Sequence, residues 1–315
     1  MREFKGFTKG VNLGGWLSQC EYSKEHFDTF ITESDIANIS NWGVDHVRLP
    51  IDYNLIENNG IFSEAGFKYI DNALEWCGQY NLNLILDLHK TPGFSFDDGE
   101  KENGFFFSEN YQQHFYKIWR ELTKRYAKFG DRIAFELLNE VTDKAYCDAW
   151  NKISRTCIEV IRQISADTVI LIGGYWNNSI EAVMDLDQPY DDRIVYNFHC
   201  YDPLHFTHQG AYWVKDMKPD FRESFPASGA DRDYFIDRFK KASEFAKQNG
   251  TVLYCGEYGV IDIAEPDDRL EWYKAINSAF TALGISRAAW CYKQMDFGLT
   301  DDRMKPVFEE VKKYL

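Results

Sequence analysis

The sequence predicts an α/β protein folded as a (β/α)8 barrel, with a longer loop excursion after the sixth strand. Two observations predict it. Eight short apolar runs recur along the 315 residues, and amphipathic stretches of helical period lie between them. A third observation disfavours the alternative, an open doubly wound sheet. That fold would carry a G-x-G-x-x-G after its first strand, where this chain has only the adjacent pair Gly14-Gly15.

The runs in order are GVNLGGW at Gly10, DHVRLP at Asp45, NLILDLH at Asn83, IAFELLNE at Ile133, TVILIGG at Thr168, IVYNFHCY at Ile194, TVLYCGEYG at Thr251 and SRAAWCYK at Ser286. Near-continuous apolar character marks parallel strands buried on both faces. Strand and helix patterns alternate eight times. Between the runs, YQQHFYKIWRELTKRYAKF sets Phe115, Ile118, Trp119, Leu122 and Tyr126 on one helical face. RLEWYKAINSAF carries its stripe at Leu270, Tyr273 and 275–280. Trp42, Trp76, Trp119 and Trp150 fall in helical patterns and read as core, and the acidic pairs Asp97-Asp98 and Asp301-Asp302 read as solvated loops. The connection from Tyr201 to Thr251 is the longest, and its part from Asp202 to Tyr234 is expected to wall a groove over the C-terminal end of the barrel. No stretch rich in Pro, Gly or Ser divides the chain, so one domain over 1–315 is expected.

Lys and Arg number 35 against 50 Asp and Glu, a formal net charge of -15 that repels nucleic acid and anionic membrane surfaces but not a neutral substrate. The 9 Trp, 19 Tyr and 24 Phe exceed what a core needs, so some are expected to line a groove. Seven cysteines without a C-x-x-C pair suggest free thiols rather than disulfides or zinc. MREFKGFTKG lacks the apolar core of a signal peptide, so the protein is expected either to stay in the cytoplasm or to be secreted with its signal removed. No run approaches the length of a membrane span, and a monomer is expected.

In a (β/α)8 barrel the active site lies where strands end. Polar residues concentrate there: Arg48, His89, Asn139 with Glu140, His199 with Tyr201, Glu257 and Trp290. Two carboxylates in different surroundings are what glycosidic bond cleavage requires, because one must hold a proton while the other stays ionised. HVRLP, DLH, LLNE, NFHCY, GEYG and AAW, in this order across nearly the whole chain, resemble glycoside hydrolase family 5. The resemblance implies a retaining glycosidase with paired glutamates after the fourth and seventh strands, and it maps the family's eight site positions onto the eight residues just named. GVNLGGWL and HFDTFITESDI further resemble the small bacterial endoglucanases of that family. Cleavage of internal β-1,4 bonds in cellulose-type or mixed-linkage glucan is therefore expected, with no cofactor and no metal. Mannan, xyloglucan, β-1,3-glucan and exo action stay open.

Within that scheme Glu257 is the expected nucleophile, kept ionised by Arg48 and the Tyr201 phenol, and Glu140 the acid/base, kept protonated by partial burial and the nearby charge. Asn139 suits a bond to the sugar 2-hydroxyl, Trp290 a sugar face, and His89 and His199 either hydroxyl contacts or orientation of the glutamates. Glu136 lies deeper on its strand, where an ion-paired structural role is expected. Trp16, Phe94, Trp176, Phe206, Trp213 and Tyr258, with Phe96 and Tyr175, are candidate sugar platforms. Two rivals remain: a metal-dependent barrel hydrolase, which would want an early H-x-H, and a noncatalytic sugar-binding barrel, which has no use for both glutamates.

Overall fold

The eight apolar runs become the eight staves of one barrel. The computed structural model describes residues 3–97 and 103–315, so Asp98 of the first acidic pair lies outside the described residues. The strands are β1 (Lys9–Asn12), β2 (His46–Asp52), β3 (Asn83–Lys90) and β4 (Ile133–Glu136). They continue as β5 (Val169–Ile172), β6 (Ile194–Cys200), β7 (Leu253–Tyr258) and β8 (Ser286–Ala289). Each pairs in parallel with the next, and β8 pairs with β1 to close the ring.

Side chains alternate across each strand, and the alternation sorts them. On β3, Leu84, Leu86 and Leu88 join the outer core beneath the helices, while Ile85, Asp87 and His89 form the other set. On β6, Tyr196 and Phe198 belong to the outer set, and Val195, Asn197 and His199 to the inner one. The inner set is apolar at the N-terminal end, where Ile85, Ala134, Val169, Val195 and Tyr254 cluster with Phe4 and Phe7, and charged toward the C-terminal end. Phe4 and Phe7 stack at 4.5 Å and close the bottom.

Among the described residues six α-helices of eight residues or more wrap the outside: α1 (Glu33–Ser40), α2 (Glu64–Gln79), α3 (Glu109–Tyr126), α4 (Cys147–Arg162), α5 (Arg232–Gln248) and α6 (Pro266–Leu283). The five apolar residues expected on one face of α3 are all buried. On α6 the stripe differs from expectation: Trp272, Tyr273, Ile276, Ala279 and Phe280 are buried, while Leu270 is only partly so. Two crossovers also depart from eight equal repeats. After β5 the chain forms a tight left-handed turn and a 3-10 helix, Ile180–Asp185, because only 21 residues separate β5 from β6. After β8 the α-helix is one turn, Phe308–Val311. The excursion after β6 carries a short helix, Leu204–Thr207, before α5 starts at Arg232.

Phe7 is 2% exposed and far from the charged end. Phe7→Ala is expected to cost about 3–5 kcal/mol of unfolding free energy, the usual range for an aromatic cavity, without changing kcat at 25 °C. Urea denaturation read beside activity checks this.

Candidate active site

The charged layer is organised by Arg48, which sits mid-strand on β2 rather than at its end and is fully buried. Its Nε donates to Glu136 Oε2 at 2.7 Å and its Nη2 to Glu136 Oε1 at 2.8 Å, a bidentate pair. Nη1 donates to Glu257 Oε1 at 2.7 Å and to Asn12 Oδ1 at 2.9 Å. Nη2 also donates to Asn139 Oδ1 at 2.9 Å and lies 3.0 Å from Asp87 Oδ2. Burial alone would disfavour the cation, but Asp87, Glu136 and Glu257 outweigh it and hold the guanidinium far above its ordinary value. Burial leaves Glu136 above the usual carboxylate range and pushes Asp87 up to about 7, since one guanidinium serves three carboxylates.

Glu257 reaches this layer through a β-bulge. Phe198 pairs with Cys255 but His199 pairs with Glu257, so Gly256 is the extra residue. A Cβ on Gly256 would stand 2.7 Å from Asn197 Oδ1 and 3.0 Å from His199 Nε2, so only glycine fits there. The bulge sets Glu257 beside His199, and Tyr201 donates to Glu257 Oε2 at 2.9 Å. Burial would raise the Glu257 carboxyl, yet His199, Arg48 and the Tyr201 bond outweigh it and hold it below its ordinary value.

Beyond β4 the chain keeps pairing with β3, where Asn139 N–H donates to Leu88 O at 3.1 Å. This carries Glu140 to the mouth of the barrel with a positive φ of 37°. His199 Nδ1 lies 2.8 Å from Glu140 Oε1 and 3.6 Å from Glu257 Oε2. Burial would lower His199, but Glu257 and Glu140 outweigh it and raise it. His89 behaves oppositely: burial lowers it to about 4, so it is neutral, with Nδ1 donating to Asp87 at 2.6 Å and Nε2 facing Asn139 Nδ2 at 3.4 Å. Trp290 stacks parallel to His89 at 6.0 Å. The Gly14-Gly15 pair makes room here: a Cβ on Gly14 would stand 2.7 Å from the Trp290 ring, and Gly15 has a φ of 76°.

Six of the eight expected site positions, His89, Glu140, His199, Tyr201, Glu257 and Trp290, line one cleft of about 1030 Å³, and the buried Arg48 and Asn139 lie behind it, bonded to each other and, through Arg48, to Glu257. Oxygens of Glu140 and Glu257 and a nitrogen of His199 all lie within 4.8 Å of one another. That short gap suits direct attack on an anomeric carbon rather than attack by an intervening water. Glu136 is ion-paired, as its depth on β4 suggested.

The platform expectations divide. Trp176, Trp213 and Phe96 line the cleft. Trp16, Phe94, Phe206 and Tyr258 do not, because each is 5% exposed or less. Trp16 stacks on Trp76 and donates its indole N–H to Phe27 O at 2.9 Å. Phe94 packs on Phe105 and Phe106, and Phe206 on Phe225. Tyr258 follows inward-pointing Glu257 and therefore turns outward onto Trp272 and Phe280. Tyr175 is buried too, bonded to Asp185.

Several partners escaped the sequence reading. Asp87 stands two residues before His89 on the same strand face, a spacing that could have revealed it. Asn12 ties Arg48 to the Gly256 carbonyl, with Nδ2 to O at 2.9 Å, and Asn197 donates to Glu136 at 2.8 Å. Asn177 donates to Glu140 Oε2 at 2.9 Å. The two asparagines on strands sit inside apolar runs, and nothing in their spacing distinguishes them.

Residues 6–296 match the family Cellulase (glycosyl hydrolase family 5). Cellodextrinase A of Ruminococcus flavefaciens is 52% identical over 288 residues, covering 91% of this chain and 86% of that protein. Endoglucanase C of Acetivibrio thermocellus is 41% identical over 333 aligned residues, covering 97% and 96%. Among solved structures, one described as an endoglucanase superposes with a TM-score of 0.83 at 25% identity over 98% of this chain and 97% of that one. A hyperthermophilic endo-β-1,4-glucanase in complex with substrate has the same barrel, with a TM-score of 0.84 at 22% identity over 99% and 100%. A match of that extent shows that the chain belongs to glycosyl hydrolase family 5, the cellulases.

Proposed function

We propose that the protein is a retaining endo-β-1,4-glucanase in which Glu257 is the nucleophile and Glu140 the acid/base. The observation that carries the assignment is the contrast between two nearby glutamates. Glu257 accepts from Arg48 and Tyr201, and the balance of charges keeps it ionised. Glu140 stands at the cleft mouth, where it can reach a leaving oxygen. Glu257 attacks the anomeric carbon while Glu140 protonates the glycosidic oxygen, and a glycosyl ester forms. Glu140 then takes a proton from water, which attacks the ester and releases Glu257. Asn139 and Trp290 hold the sugar, and neutral His89, whose Nδ1–H is given to Asp87, can accept a hydroxyl bond at Nε2.

The metal-dependent rival is disfavoured by the state of its would-be ligands. Glu140, His199 and Glu257 are close enough to hold an ion. Glu257, though, already accepts from Arg48 at one oxygen and from Tyr201 at the other. The substrate is a neutral polymer, bound by one catalytic domain acting as a monomer. Among the described residues no helix is long and apolar enough to cross a membrane.

Three outcomes are expected. First, a 2-deoxy-2-fluoro cellobioside should label Glu257, and NMR should show first-formed product of retained β configuration; inverted product or a label elsewhere refutes the mechanism. Second, activity requires ionised Glu257, so kcat/KM should hold as pH falls until below the ordinary glutamate value of about 4.3. His199→Asn removes the strongest favourable charge beside Glu257, so the acid limb should move to higher pH, read from pH profiles of both proteins. Third, Trp176 is 52% and Trp213 44% exposed on the cleft rim, where stacked glucose rings beyond the cleavage point would cover them. Trp213→Ala should lower kcat/KM on polymer about tenfold, some 1.4 kcal/mol, and leave small aryl glycosides within about twofold. Kinetics on both substrate classes, in a variant that melts cooperatively, checks this.

A further inference from the structure

After β5 the chain does something costly. Trp176, Asn177 and Asn178 lie in succession in the left-handed region, with φ of 50°, 56° and 56°. For residues with a Cβ each such position costs about 1–2 kcal/mol, least for Asn. The three side chains consequently diverge. Trp176 stands exposed on the cleft, Asn177 also faces it, and Asn178 is fully buried.

Both asparagines lead to the same carboxylate. Asn177 Nδ2 donates to Glu140 Oε2 at 2.9 Å. Asn178 reaches His199 Nε2 at 3.4 Å, and His199 Nδ1 meets the other oxygen, Glu140 Oε1, at 2.8 Å. The Asn178 Oδ1 is buried and has no hydrogen-bond partner among the described residues. Turning that amide over, which the heavy-atom positions equally allow, lets Oδ1 accept from the Nε2–H of His199 and leaves Nδ2, in its place, as the unpartnered group. The imidazole is then fixed with Nδ1 toward Glu140.

The turn is also fastened to the segment that carries Glu140. Asn177 N–H donates to the carbonyl of Val141, the next residue, at 3.0 Å. Lys144, farther along the same loop, lies over the Trp176 ring at 5.6 Å. Gly173 gives the turn its room, since a Cβ there would stand 2.2 Å from the Asn178 amide.

We propose that the turn Trp176–Asn177–Asn178 is a positioning device for Glu140, with Asn177 holding one carboxylate oxygen directly and Asn178 the other through His199. Both oxygens are then held from outside the segment that bears the glutamate, and the rotation of the carboxyl about its stem is restricted. The proposal rests on the reading of Glu140 as acid/base. Its competitor is that asparagines occupy 177 and 178 only because they tolerate left-handed backbone.

Glycine separates the two ideas, because it suits the backbone better than Asn and removes the amide. The experiment compares kcat/KM of wild type, Asn177→Gly and Glu140→Gln on cellohexaose and on 2,4-dinitrophenyl β-cellobioside, whose leaving group needs no acid. Asn177→Gly should melt no lower than wild type, lose about 10- to 100-fold on cellohexaose and lose far less on the dinitrophenyl substrate. Wild-type rates of Asn177→Gly on both substrates would overturn the proposal in favour of the backbone explanation. Equal losses on both would overturn it as well, since the amide would then not act through proton transfer. Glu140→Gln keeps the two readings apart. If it loses equally on both substrates, the acid/base assignment itself fails, whereas leaving-group dependence in Glu140→Gln without it in Asn177→Gly removes only the positioning role.

Discussion

Everything at the C-terminal end of the barrel depends on one buried guanidinium. Arg48 faces Asp87, Glu136 and Glu257, with Asn12 and Asn139 taking its remaining donor capacity. Moving ions from water into a protein interior costs several kcal/mol each, and attraction offsets this only where geometry is good and the remaining polar atoms are bonded. Arg meets that condition where Lys would not, because its planar fork serves a bidentate carboxylate on one edge and further acceptors on the other. The charged layer is therefore a structural element first. Glu136 holds Arg48 in place, and Arg48 in turn holds Glu257 ionised and aimed.

The same residues explain why the layer is not neutral. One fixed cation against three carboxylates leaves excess negative charge, and the protein answers it in two ways. Asp87 rises to about 7 beside a histidine that is itself lowered to about 4, so that pair needs little net charge. His199 shifts the other way, raised by the charges of the two glutamates it lies between. The two histidines, His89 on β3 and His199 on β6, thus shift in opposite directions. The difference arises from their neighbours: His199 faces Glu140 and Glu257, whereas His89 lies between Asp87 and the apolar face of Trp290.

How much of this was legible in the sequence depends on side-chain direction. The strands were legible because parallel strands buried on both faces read as apolar runs, and the glutamates because each ends such a run. Direction was not. Trp213 and Trp176 stand on the cleft while Trp16, Phe94, Phe206 and Tyr258 are buried, yet all follow strand ends or lie in the excursion. Tyr258 shows the physical reason: one residue from a cleft-facing glutamate, strand alternation sends it to the opposite face. The fifth crossover departs from the expected eightfold alternation, with a short turn and a 3-10 helix where a full helix was expected. Only backbone angles show that Trp176, Asn177 and Asn178 wind left-handed and throw consecutive side chains to different places.

Several strained or crowded positions lie at the same end. Glu140, the 176–178 turn and the run from Gln294 to Asp296 all have positive φ, and Gly14 and Gly256 sit where no Cβ fits. Such positions persist only where the surroundings over-determine them, and here the surroundings are the apolar lower barrel and its helices. The molecule is divided along the barrel axis: Phe4, Phe7 and the inner aliphatics below supply stability without chemistry, and the upper layer spends some of it on charge and backbone strain. That division accounts for the shape of the site. A carboxylate that must stay ionised needs a buried cation, a buried cation needs a closed ring of acceptors, and a closed ring of acceptors is what the inward faces of parallel strands provide one residue at a time.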